Sequence, residues 1–242
     1  MPHPHRRSPL LERLAADRDA GQSDTVLTEL RRVILEGAVP PGTPIPPADV
    51  AEILGVSHIP VREALKTLIG EGLVTHRQNG GYSVAQLTAQ ELGEMYIVRE
   101  SLESAALATA VRRATDADHH AIVSLNDALA QAVSDDDAVT YHRLSRRFHM
   151  ALTRPSGMHR LLHMLEVAWN VTEPVQPMVH VSRADRARLH ADHGDMLTAF
   201  LARDADRLLV VSEEHARRLN EVISTLPSDS GLLAPEDIFR PQ

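Results

Sequence analysis

The chain has 242 residues, 43% hydrophobic and 24% charged, ordinary proportions for one large globular domain or two modest ones. It has no cysteine, which excludes disulfides, thiolate nucleophiles and cysteine-type zinc sites, and its 3% aromatic content calls for an aliphatic core that favours helices. The net charge of −8 weighs against a nucleic-acid partner. No apolar run approaches the roughly 18 residues of a membrane span and no charged-then-apolar leader opens the chain, so a cytoplasmic location is expected.

In chain order, residues 1–22 allow a short helix around Leu10–Ala16 and are otherwise expected to form a mobile arm. Val26, Leu30, Val33 and Ile34 then recur at helical spacing. The stretch Val39–Pro47 breaks the chain, because its prolines lack the N–H that a helix needs. A helix from about Ala48 to Leu54 stops at Gly55. Ser57 is placed to cap the next, which carries Pro60 in its first turn and turns Val61, Ala64, Leu65 and Leu68 inward. Gly72 ends it, and Leu73–His76 and Tyr82–Ala85 read as strands around the turn Asn79-Gly80-Gly81. Three helices followed by a hairpin is the order of a winged helix-turn-helix, assigned to residues 23–86.

From Thr88, which with Glu91 spells a capping box, no strand signal survives. Helical patterns follow over about Asp116–Ala132, Asp136–Thr153, His159–Asn170, Arg183–Ala202 and Ala205–Thr225. The fold class expected is therefore mainly α: an N-terminal winged helix-turn-helix, an all-α helical bundle over residues 87–226, and a loose tail over 227–242.

In the first half, the helix after Ser57 has exposed polar groups in its N-terminal turn, as a helix entering the major groove requires. Arg62 lies on the exposed side, where a guanidinium can fork onto guanine or phosphate; the competing role is an ion pair with a nearby carboxylate. Ser57 and His58 flank that turn, and Gln78, Asn79 and Gly80 at the hairpin tip can reach a neighbouring groove. Residues 1–85 hold 9 Lys+Arg and 10 Asp+Glu, so most of the negative charge belongs to the helical half. A near-neutral head implies modest nonspecific affinity, and tight binding calls for a homodimer on two half-sites of double-stranded DNA.

In the second half three histidines fall on apolar helix faces. His149 lies beside Phe148 and a turn from Leu152; His193 shares a stripe with Leu189, Met196 and Phe200; His215 shares one with Leu208, Val211 and Leu219. If Arg203-Asp204 is the turn of an antiparallel helix pair, His193 and His215 stand equally far from Asp204 and hence at one height. With His149 they can form a three-nitrogen site for a divalent metal, zinc or nickel; hydrogen-bonded core histidines would show the same pattern. His159/His163, His119-His120 and His190 read as surface. Arg99 lies on an apolar stripe with Leu92, Met95 and Tyr96, able either to bind a ligand carboxylate bidentately or to pair with Glu103 one turn on. Met95, Tyr96 and Trp169 read as core or pocket wall.

The run G-V-S-H-I-P-V-R-E-A-L (Gly55–Leu65), the following L-x-x-E-G-L-V and the upstream E-G-x-x-P-P-G (Glu36–Gly42) resemble the GntR family of bacterial transcription regulators. Arg99–Glu103 (R-x-x-L-E), Arg147–Leu152 (R-F-H-x-x-L), His193–Ala199 (H-x-x-M-L-x-A) and His215 resemble the FCD effector domain of its FadR-like members. The resemblance implies that residues 87–226 form an all-helical ligand-binding and dimerisation domain, which in many members binds a divalent metal and a small carboxylate effector. This chain departs from the pattern at Ala48 and His58, where arginines are expected, and at Ser145, where an aspartate normally completes the metal set. A hydroxyl there is a poor ligand.

The reading is a dimeric, ligand-responsive DNA-binding regulator and not an enzyme. The alternatives are a DNA-binding dimer with a metal-free helical half and a three-histidine metal-dependent enzyme. Against the enzyme stand the absence of HExxH and of a general base beside the histidines; Asp195, two residues from His193, points elsewhere on its helix.

Overall fold

A computed structural model describes residues 8–19, 25–36, 39–78, 80–225 and 233–234. The described chain divides into two compact units, a head formed mainly by the residues up to Ala89 and a helical unit formed mainly by those after it.

In the head, α1 (Pro9–Asp19), α2 (Val26–Leu35), α3 (Pro47–Leu54) and α4 (His58–Gly70) precede β1 (Val74–Arg77) and β2 (Gly81–Val84). Their apolar faces meet in one core that includes Leu30, Ile34, Val50, Val61, Leu65 and Leu68. Thr25 opens α2 by accepting the Thr28 N–H at 3.3 Å. Gly55 closes α3 at φ 65°, the left-handed conformation that releases the chain into α4. The antiparallel strands pair Val74 with Val84 and Arg77 with Gly81, and Gly80 N–H closes the loop onto Arg77 O at 3.0 Å.

Two features of the head differ from the sequence expectation. Residues 8–19 of the presumed mobile arm include a helix whose Leu10, Leu11 and Leu14 are buried in the head core, against α2 and α3. The proline-rich break also belongs to the sheet edge. Gly42 N–H donates to Val84 O, Val84 N–H to Thr43 O, and Ile45 N–H to Tyr82 O at 2.8 Å. This ladder asks nothing of the Pro44 nitrogen, which explains how proline survives there. The remainder of the arm, residues 1–7 and 20–22, lies outside the described residues, as does most of the tail. Within the tail, Leu233 and Ala234 are buried and Ala234 N–H donates to Leu87 O, so that part is not loose.

The helical unit contains α5 (Ala89–Arg113), α6 (Asp116–Ser134), α7 (Ala138–Thr153), α8 (His159–Thr172), a short α9 (Pro177–His180), α10 (Arg183–Leu201) and α11 (Ala205–Ile223). α6 packs on α7 and α10 on α11, each pair joined by a tight turn; α10 also packs on α6. Side-chain caps start four of these helices: Thr115, Asp137, Ser182 and Asp204 each accept a first-turn N–H. No helix among the described residues is long and apolar enough to cross a membrane.

The α10–α11 turn is set by Arg203, which adopts φ 57° where glycine is usual. Its guanidinium compensates by donating to Val111 O at 3.1 Å and Ala114 O at 2.7 Å, carbonyls at the end of α5 with no helical partner. Arg203→Ala should therefore destabilise the protein by about 1–2 kcal/mol, and Arg203→Gly by less because it relieves the left-handed strain. Thermal denaturation of the two variants checks that order; equal stability of Arg203→Ala and wild type would remove the capping role.

Candidate functional site

His149 on α7, His193 on α10 and His215 on α11 converge in the helical unit, and one ring nitrogen of each lies within 4.8 Å of the others. They are 4%, 0% and 4% exposed, so their nitrogens depend chiefly on protein partners. His149 Nδ1 meets Glu103 Oε2 at 2.8 Å, and His215 Nδ1 meets Asp192 Oδ2 at 3.4 Å. Glu103 comes from α5 and Asp192 directly precedes His193 on α10. The other Asp192 oxygen accepts from the Arg218 guanidinium. Such carboxylate contacts fix the Nδ1–H tautomer and leave Nε2 as a lone-pair donor.

His149 Nε2 stands 3.2 Å from His193 Nε2. This is the length of an N–H···N hydrogen bond, and also close to the ~3.3 Å that separates two nitrogens bound at ~2.0–2.1 Å to a tetrahedral zinc ion. The buried His193 Nδ1 has no hydrogen-bond partner among the described residues. Burial and the neighbouring imidazoles push His193 well below the ordinary histidine value. Burial also lowers His215, although Asp192 opposes the shift. Both are therefore neutral near pH 7, the form in which imidazole binds metal. Burial works against ionisation of Glu103, but the His149 contact and the Arg99 charge outweigh it and hold the carboxyl below its usual range. The donor set thus fits a divalent ion. Ser145 is half-buried one turn before His149, and only the three histidines make up the metal-competent cluster among the described residues.

Arg99 is 5% exposed on α5, its guanidinium carbon 3.1 Å from the Trp169 ring centroid and 4.7 Å from that of Tyr96. Its Nε lies 3.9 Å from Glu103 Oε1, within ion-pair range but beyond hydrogen-bond length. The cation is held against aromatic faces and attracted to the carboxylate that orients His149. Tyr96, Arg99, Glu100, Glu103, His149 and His215 border a small cavity of about 20 Å³, room for one water. Burial, then the neighbouring Glu213 and Glu103, raises Glu100.

His142, one turn before Ser145 on α7, is also buried but stands outside the cluster. His159, His163 and His120 are exposed, whereas His119 and His190 are half-buried, His119 with its ring edge on Phe200 at 5.8 Å. The sequence reading had both on the surface; each lies at the margin of a packed helix face. Asp195 is exposed, as its place on the helix predicts. Sequence reasoning missed Asp192 as the partner of His215. Counted from Asp204, Asp192 and His215 stand at nearly the same height, and that register was the available signal.

On the head, Ser57, His58, Arg62, Gln78 and Gly80 are all exposed, while Asn79 lies outside the described residues. Arg62 pairs with no carboxylate among the described residues; its neighbour Glu63 is taken by Lys66 at 2.9 Å. Ser57 stands at the N-cap of α4 in extended conformation, but its side chain makes no capping hydrogen bond, contrary to expectation. The α4 start relies on backbone geometry and on Pro60, and the Ser57 hydroxyl is not used within the helix.

Residues 22–84 match the bacterial regulatory proteins of the gntR family, and residues 94–218 match the FCD domain. The chain is 31% identical over 144 residues to the HTH-type transcriptional regulator McbR of Escherichia coli, an alignment covering 60% of this chain and 65% of McbR. It is 28% identical over 142 residues to the HTH-type regulator YdhC of Bacillus subtilis, covering 57% and 62%. Each alignment thus spans just under two-thirds of the relative. The fold is similar to that of E. coli McbR/YncC, with TM-score 0.71 and 24% identity over 89% of this chain and 97% of that one. A GntR protein of Rhodococcus sp. RHA1 gives 0.72 and 21%, over 90% and 98%. The families and relatives matched are transcriptional regulators, not enzymes. With a helix-turn-helix head and an FCD domain spanning over half its length, the chain belongs to the GntR family of bacterial regulatory proteins.

Proposed function

We propose that the protein is a homodimeric, cytoplasmic transcriptional regulator whose helical half binds a divalent metal and a small carboxylate effector. The observation that carries the sensing half is the convergence of three buried imidazoles, two of them oriented by carboxylates. His149, His193 and His215 would hold the ion, zinc or nickel. When bound, it supplies positive charge and an open position to which a carboxylate can bind. Glu103 and Asp192 hold two rings in the ligating tautomer and provide negative charge one shell out, where Ser145 provides none. Arg99, fixed against Trp169, presents its charge to the bordering cavity.

The cavity beside Arg99 is narrow, and an effector that fits it better in one side-chain arrangement than another would favour that arrangement. Unequal affinity for two arrangements is the condition for any ligand to shift an equilibrium. A second reading rests on the 3.2 Å His149–His193 contact, which serves equally as a hydrogen bond in a metal-free core; the helical half would then dimerise without sensing metal.

Protein purified without a histidine tag and stripped with chelator separates the two. With zinc or nickel added at about 100 times Kd, wild type should gain about 2.7 kcal/mol of stability, read as a rise in Tm. His193→Ala should lose that increment whatever its own baseline. Ser145→Asp, which supplies a carboxylate at this position, should tighten metal binding about tenfold in calorimetry, within the effect expected of a coordinating group. A wild type that carries no metal by elemental analysis and melts identically with added ions would leave the metal-free reading.

For the head, selection from a randomised duplex pool should return two related half-sites, as a two-fold dimer demands. Arg62→Ala should weaken binding to the selected duplex by about 1–3 kcal/mol per half-site at fixed salt, with an unchanged melting curve. Unaltered affinity on gel-shift titration would remove Arg62 from the interface.

A further inference from the structure

The most exposed of the large hydrophobic side chains among the described residues is Ile59, at 73%, in the first turn of α4. The fold gives no reason for it. Val61, Ala64, Leu65 and Leu68 supply the buried face of α4, and Ile59 stands off that face, one turn before Arg62. Its exposed apolar neighbours are small in area: Val56, ahead of the helix, is 37% exposed, and Pro60 follows directly. Ile69, the other exposed large apolar residue of α4, lies about 15 Å further along the axis, and the surface between carries Arg62, Glu63 and Lys66.

We infer that Ile59 is a specificity-determining residue that reads the C5-methyl group of a thymine in the major groove, an inference resting on the proposed insertion of α4 into DNA. An isoleucine has no hydrogen bond to offer a phosphate or a base edge. The apolar feature that base pairs display in the major groove is the thymine methyl. A β-branched side chain is suited to finding it, since the branch restricts χ1 and less rotamer freedom is lost on contact than for a longer chain. Arg62, one turn on, fixes the depth of the helix by a base or phosphate contact, and Ile59 then requires an A·T pair in defined orientation at its own step. Cytosine lacks the methyl and carries an amino group that the side chain cannot satisfy. His58, with its polar ring beside Ile59, does not supply this discrimination.

The test uses the full-length protein and the duplex selected from the random pool. Each thymine in a half-site is replaced in turn by deoxyuridine, which keeps every hydrogen-bonding group and removes only the methyl. For wild type, one position per half-site should raise Kd about three- to tenfold, the worth of burying one or two methyl-sized groups. Ile59→Ala should bind the unmodified duplex more weakly by a similar factor and be indifferent to that deoxyuridine, while Ile59→Val should retain the sensitivity. Because Ile59 is exposed, both variants should melt with wild type, and the deoxyuridine series on wild type stands without them. Wild-type binding unaffected by deoxyuridine at every position would overturn the inference, as would an Ile59→Ala variant as sensitive as wild type. If Arg62→Ala still weakens binding in either case, the DNA-reading role of α4 survives and the thymine contact alone falls.

Discussion

Six imidazole nitrogens buried among apolar and aromatic side chains, Phe148, Tyr141 and Trp169 among them, must each be satisfied or cost free energy, and this requirement organises the helical half. Two of them draw in carboxylates, Glu103 and Asp192. Buried carboxylates in turn need cations, and Arg99 and Arg218 stand within ion-pair range of them. The chain of partners crosses four helices: Glu103 ties α5 to α7, His149 meets His193 of α10, and Asp192 ties α10 to α11. Removing one member strands another without water, which is why a buried ionic network is far more sensitive to truncation than its net stabilisation suggests.

The two halves solve opposite problems with the same residue types. The helical unit hides charge and polarity, and its geometry follows from neutralising them. The head does the reverse on α4, burying one stripe and leaving Arg62, Glu63 and Lys66 in water. Exposed charges of this kind contribute little to stability. They are consequently free to be chosen for recognition, and the departures at Ala48 and His58 cost the head no core contact, since the exposed His58 and the exposed Ala48 belong to no buried stripe. Ser145 is a departure of a different sort, because it alters charge beside a dry cluster.

Most of the architecture was legible because apolar periodicity and punctuation are local. Val61, Ala64, Leu65 and Leu68 specified the inward face of α4, and the equal spacing of His193 and His215 about Asp204 placed two ring systems at one height. What escaped was non-local. The leucines of α1 carry too short a pattern to reveal that they complete the head core. The ladder from Gly42 to Ile45 depends on β2 supplying partners some 40 residues away, while Pro44 within it and the prolines on either side argue locally for a break. Glu103 was visible as a helical neighbour of Arg99, but its shorter contact is with His149 on another helix. Asp192 was hidden by adjacency to His193, since neighbours along a helix point apart and its partner lies across the turn.

Trp169 is the only tryptophan in the chain, and it sits with its ring centroid 5.6 Å from that of His149 and beneath the Arg99 guanidinium. An indole's emission responds to charges and quenchers at its face, and no second indole is present to dilute the signal. The protein therefore carries a built-in optical reporter in contact with Arg99 and His149, two residues that border the cavity. Any event that moves Arg99 or changes the charge on His149 would register in the unlabelled protein, in real time.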